Sequence, residues 1–152
     1  MNTPFLNEPS DEGGFDNTIA RLSVLVEPGR SPSFAILLNE FPGLGDGPPA
    51  HHHNRYDEAF YVLAGEMEFC VDGVTARVPT GSMAFVPRGS THSFRNPSPE
   101  SAQMLVVTTP EAIDLIVRMP EGAKNPDALQ ALFAEHDSVI DGPPLGRAPT
   151  AP

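Results

Sequence analysis

Positive charge is scarce in this chain. Nine Lys and Arg stand against twenty Asp and Glu in 152 residues, a formal net charge of -11. Such a surface repels phosphate backbones and anionic lipids, so neither nucleic acid nor membrane is expected as a partner. The acidity reads as a solvated surface. The single lysine, Lys124, lies outside the region that carries the chemistry. Cysteine is nearly absent as well. With Cys70 alone no intrachain disulfide can form, and nothing demands an oxidising compartment. No apolar run approaches membrane-spanning length, and Met1 to Asn17 lacks the basic start and apolar run of a signal peptide. The expectation is a cytoplasmic, soluble, one-domain protein, long enough for a real core.

What is there is mostly strand-like. Short branched and aromatic runs are punctuated by Gly, Pro and Asp: Ile19–Val26, Phe34–Phe41, Glu58–Ala64, Glu66–Val71, Val74–Val78, Met83–Val86, Thr91–Arg95 and Gln103–Thr108. Asp72-Gly73 predicts a tight hairpin between the fourth and fifth of these. Such spacing indicates an all-β sandwich or barrel over residues 18–109. Residues 1–17 read as a flexible arm, or as an edge strand for a partner. Residues 110–141 read as helical, with Ile113, Ile116 and Val117 on one helix and Leu129, Leu132 and Phe133 on the next. Residues 142–152 read as an extended, Pro-rich tail.

The chemistry concentrates at His51-His52-His53, Glu58 and His92. On a strand, alternation points His51 and His53 to one face and turns His52 away. Glu58 shares its face with Phe60 and Val62, and His92 shares one with Phe94. If these strands line one interior, three imidazoles and a carboxylate converge among apolar side chains, a donor set suited to Fe, Mn, Ni, Cu or Zn. The competing reading is a chance histidine cluster on a loop. Tyr56 sits beside the site and can reach substrate, although an exposed loop position is its plainer reading. Arg55, Arg88 and Arg95 read as surface charges, Cys70 as a small buried hydrophobe, and His136 as a helix C-terminal cap.

The flanking residues add a pattern. Gly45 is followed after five residues by His51, then His53, Glu58 and Gly65; Gly81 is followed after five by Pro87, then Gly89, His92 and Asn96. This double motif resembles that of the cupin superfamily over about Phe34 to Thr108. Pro48-Pro49-Ala50-His51-His52-His53 and Asp57-Glu58-Ala59-Phe60-Tyr61-Val62-Leu63 resemble single-domain, quercetin-dioxygenase-like cupins. The resemblance implies a small jelly-roll β-barrel with a short C-terminal helical extension. It implies one divalent transition metal ion held by His51, His53, Glu58 and His92, and a homodimer.

Three functions follow as expectations. The first is a metal-dependent dioxygenase on a small, oxygen-chelating substrate, with Glu58 as catalytic base as well as ligand, and Phe60, Val62, Phe94 and Tyr56 around the substrate. The second is a non-redox metal enzyme: an isomerase, cyclase, decarboxylase or lyase. The third is a non-catalytic small-molecule binder, which has less need of four ligands.

Overall fold

The described residues form eleven strands and two helices. The structure, a computed structural model, describes residues 14–122 and 125–147. The strands are β1 Gly14–Asp16, β2 Arg21–Val26, β3 Ala35–Phe41, β4 Pro49–His53, β5 Glu58–Ala64, β6 Glu66–Val71, β7 Val74–Pro79, β8 Met83–Val86, β9 His92–Arg95 and β10 Ala102–Thr108. Helices α1 Pro110–Gly122 and α2 Pro126–Glu135 precede the last strand, β11 Ser138–Pro144. One sheet has the order β1-β2-β3-β10-β5-β8 and the other β11-β4-β9-β6-β7, with antiparallel pairing throughout. Together they make the expected jelly-roll β-barrel with a short helical extension.

Sequence period accounts for the packing. On β5, Glu58, Phe60 and Val62 are buried while Tyr61 and Leu63 face out. On β6, Met67 and Phe69 turn inward. Both inner faces meet in one core that includes Leu37, Phe60, Val62, Met67 and Phe94; each large apolar side chain contributes roughly 1.5–3 kcal/mol on burial. Asp72 and Gly73 take φ of 48° and 80°, as the hairpin turn requires.

The chain ends depart from the sequence reading. Residues 138–144, read as the end of a helical region and the start of a loose tail, form β11 and pair with β4. Its prolines had argued against a strand. They are tolerated because β11 is the edge strand of its sheet, with register shifts at Gly142 and Pro144. At the other end, Gly14–Asp16 pairs with β2 of the same chain. The rest of the proposed arm, residues 1–13, the tail residues 148–152 and Lys124 lie outside the described residues. On α1 the buried residues are Ala112, Ile113, Leu115 and Met119, whereas Val117 is exposed. On α2 Leu132 and Phe133 are buried as expected, and Asn125 caps the start by accepting from the Asp127 and Ala128 N–H groups. His136 is its C-cap; its Nδ1 lies 2.9 Å from the Leu132 carbonyl and its Nε2 2.9 Å from Asp114.

Candidate metal centre

Three ring ligands come from one sheet and the carboxylate from the other. His51 and His53 alternate inward on β4, and His51 stands opposite His92 on β9. Glu58 opens β5 in the facing sheet. All four side chains are buried, and one ligand atom from each lies within 4.8 Å of the others. Donors bonded at about 2.1 Å to a shared ion lie up to about 4.2 Å apart, so sub-ångström adjustments suffice to close this set on a metal. His52 turns outward to Asp141, 2.7 Å away, as alternation predicts.

The outer contacts orient the rings. His51 Nδ1 lies 2.7 Å from the Pro49 carbonyl and His92 Nδ1 3.2 Å from that of Ser90. A carbonyl only accepts, so each Nδ1 carries the proton and each Nε2 presents a lone pair. His53 Nδ1 lies 2.7 Å from Ser138 Oγ and 2.9 Å from Tyr56 Oη. The Ser138 hydroxyl donates onward to the His136 carbonyl, 3.2 Å away, leaving its oxygen to accept from His53. Anchored ring N–H groups of this kind typify metal-bound histidine.

Inside the shell, Glu58 Oε2 is 3.1 Å from His92 Nε2 and 3.3 Å from His53 Nε2. Carboxylate oxygen facing imidazole lone pairs is repulsive unless a cation sits among them, and a divalent metal meets that demand. The donor set therefore fits the metal. Burial alone pushes the Glu58 carboxyl up, but where His53 and His92 carry a proton on Nε2 in place of a metal, their hydrogen bonding and charge outweigh it and hold the group well below the usual carboxylate range. Burial, followed by the charges of His92 and His53, drives His51 well below the ordinary imidazole value, which keeps it neutral and free to ligate.

A cavity adjoins these residues. His51, His53 and Glu58 belong to its lining, with Leu22, Phe41, Phe60, Phe94, Leu115 and Met119 among its apolar walls. The centre of a water molecule fits within about 60 Å³ of it, so it suits a slim ligand. No Arg or Lys is among its described lining residues. Phe60 and Phe94 line this cavity, whereas Val62, fully buried, packs in the core beyond the lining. Tyr56 is no exposed loop residue. It is buried, stacks on the His53 ring at 4.4 Å between centroids, and lines the cavity. Burial, and then the Glu58 charge, push its hydroxyl pKa up, so it stays protonated.

The remaining candidates are peripheral. Arg55, Arg88 and Arg95 pair with Glu111, Asp57 and Glu68, and Cys70 is half-buried on β6. The sequence reading missed Ser138, whose partner stands 85 positions earlier, with no local signal. It also missed the part of α1 in the cavity wall. Gly47 is explained by packing: a Cβ there would lie 1.5 Å from the Phe94 carbonyl oxygen, so only glycine lets the loop before β4 approach β9.

Comparison with known proteins agrees with this architecture. Residues 40–108 match the family described as Cupin domain. An uncharacterized protein of Aquifex aeolicus (strain VF5) is 32% identical over 82 residues, 49% of this chain and 67% of that protein. Quercetin 2,3-dioxygenase of Bacillus subtilis (strain 168) is 38% identical over 53 residues, 35% of this chain, and the match spans only 16% of the dioxygenase. Among solved structures, KdgF from Halomonas sp. superposes with a TM-score of 0.60 at 21% identity, over 72% of this chain and 94% of KdgF. That last likeness is one of fold.

Proposed function

The chain belongs to the cupin superfamily, and from that premise we propose that it is a metal-dependent dioxygenase acting on a small, oxygen-chelating, largely apolar substrate. The observation that carries the reading is the buried His51, His53, Glu58 and His92 set beside a cavity of apolar walls. The partial likeness to a quercetin dioxygenase supports the reaction class. A bound divalent transition metal would supply Lewis acidity and, if redox-active, electrons toward O₂.

The chain's own residues do the rest. Pro49, Ser90 and Ser138 hold the ring N–H groups outward and so fix the ligating nitrogens. Phe60, Phe94 and Leu115 exclude water and hold the apolar part of the substrate. Glu58, ionised at neutral pH, is the carboxylate placed to accept a substrate hydroxyl proton. With no Arg or Lys among its described lining residues, the cavity offers no side-chain cation to a phosphate or a second carboxylate.

One observation favours a second reading, a non-redox isomerase, cyclase, decarboxylase or lyase. Tyr56 places a neutral hydroxyl donor at the cavity beside the histidines, where it can steady an enolate-like oxygen. Metal analysis of anaerobically purified protein and an oxygen-electrode screen with flavonols and diketones separate the two. Bound Fe, Mn, Ni or Cu with O₂ uptake supports the dioxygenase; zinc with turnover independent of O₂ sinks it.

The proposal includes a homodimer. The outer face of the six-stranded sheet exposes Tyr61, Leu63, Met83, Phe85 and Val107, a patch of the kind that marks an interface. A cytoplasmic location rests on the single cysteine. No helix among the described residues is long and apolar enough to cross a membrane.

A further inference from the structure

Asn39 breaks the apolar pattern of its row. Alternation along β3 buries Ala35, Leu37, Asn39 and Phe41. Its cross-strand neighbours on that face, Leu22 of β2 and Met104 of β10, are apolar and buried. Asn39 is 7% exposed, and its Oδ1 has no hydrogen-bond partner among the described residues. Yet it lines the cavity that also contains His51, His53 and Glu58. A buried, unpaired amide oxygen costs about 1–3 kcal/mol, so stability alone disfavours asparagine here. The second amide of the cavity, Asn17, differs: its Oδ1 accepts from the Ile19 and Ala20 N–H groups at 3.2 and 3.0 Å, a structural turn.

We propose that Asn39 is the polar specificity contact of this cavity and hydrogen-bonds a hydroxyl group of a neutral, largely apolar ligand. A hydroxyl can both donate and accept, so it satisfies the carboxamide in either orientation. The ligand is neutral because the cavity already contains the Glu58 carboxylate and no Arg or Lys is among its described lining residues. Asn39 lies on the same sheet as Glu58, on β3, which β10 separates from β5. It therefore contacts a part of the ligand distinct from the oxygens that reach the histidines. That second attachment rests on the metal-dependent reading above; the Asn39 contact does not.

The test compares the full chain with Asn39→Leu, using phenol and toluene, which differ by a hydroxyl in place of a methyl. Affinities are read by NMR titration on EDTA-treated and on zinc-loaded protein. The wild type is expected to prefer phenol by about 2–10-fold, the range of one neutral hydrogen bond. Asn39→Leu should lose that preference, take up the same zinc, and melt at the same or a higher temperature. Benzoate should bind the EDTA-treated protein more weakly than phenol does. An unchanged phenol-to-toluene ratio in the variant overturns the proposal, as does phenol that fails to bind at millimolar concentration. Tighter benzoate binding overturns the neutral-ligand claim, and a variant melting several degrees lower assigns Asn39 to structure. Absence of zinc uptake by either protein counts against the metal reading alone and leaves the ratio in EDTA-treated protein to decide the role of Asn39.

Discussion

The two sheets share a core but present opposite outer faces. Across the six-stranded sheet, Met83, Tyr61, Leu105 and Leu38 lie in register as one outer row, and Phe85, Ala59, Val107 and Ile36 as the next. These rows are apolar, with Phe85 61% and Met83 57% exposed. The five-stranded sheet carries charge instead. Arg77 pairs with Glu66 and Glu68, Arg95 with Glu68, and His52 with Asp141. Thr91 also donates to Asp141, which ties β11 to the turn before β9. The sheet that faces water with ion pairs is the one that holds the three imidazoles. The sheet that offers Glu58 keeps an outer face suited to a cover of protein.

This contrast can be broken at several points, with effects of decreasing size. His92→Ala removes a ligand supplied by the charged sheet, and metal content should fall from about one per chain to near zero by elemental analysis. A variant that still holds one tight ion refutes the four-residue site. Ser138→Ala leaves all four ligands but deprives His53 of an acceptor; metal affinity should drop about 10–100-fold in competition with a chelator. Equal affinity would mean that Tyr56 alone orients the ring.

On the apolar sheet, Phe85→Lys should turn a dimer into a monomer in sedimentation experiments while leaving metal content intact. A wild-type chain that already sediments as a monomer removes the pairing proposal. On the charged sheet, Arg77→Ala should leave the urea unfolding midpoint almost unchanged, because its ion pairs are solvated.

The smallest effect lies away from both sheets. The Arg118 hydrogen bond, and after it that of His136, hold the exposed Asp114 below the usual carboxylate range. A depressed folded pKa stabilises above the unfolded value and is lost as pH falls through the folded one. Asp114→Asn should therefore lower melting temperature slightly at neutral pH and not at strongly acid pH. A difference that persists in acid assigns the effect to packing.

Legibility followed the range of each interaction. Strand β5, the Asp72-Gly73 turn and the parity of His51, His52 and His53 were readable because alternation and turn chemistry are local. Asn39, a polar residue within an inward row, was not singled out, because its meaning needed the cavity. Strand β11 was misread because prolines signal a break unless the strand lies at an edge, and edge position is a property of the whole sheet. Tyr56 was misread as exposed because, besides its near neighbour His53, it packs against Ser138, a residue far from it in sequence. Val62 shares the face of Phe60, but alternation cannot say how far along a strand a cavity extends.

Residue order alone determined the face each histidine takes, through a two-residue period, and the motif spacing whose resemblance to cupins implied the donor set. Tertiary structure alone decided that Pro49, Ser90 and Ser138 anchor the rings, that α1 walls the cavity, and that no Arg or Lys is among the cavity's described lining residues. Those facts arise from contacts between distant segments, whose geometry is set by closure of the two sheets on one core.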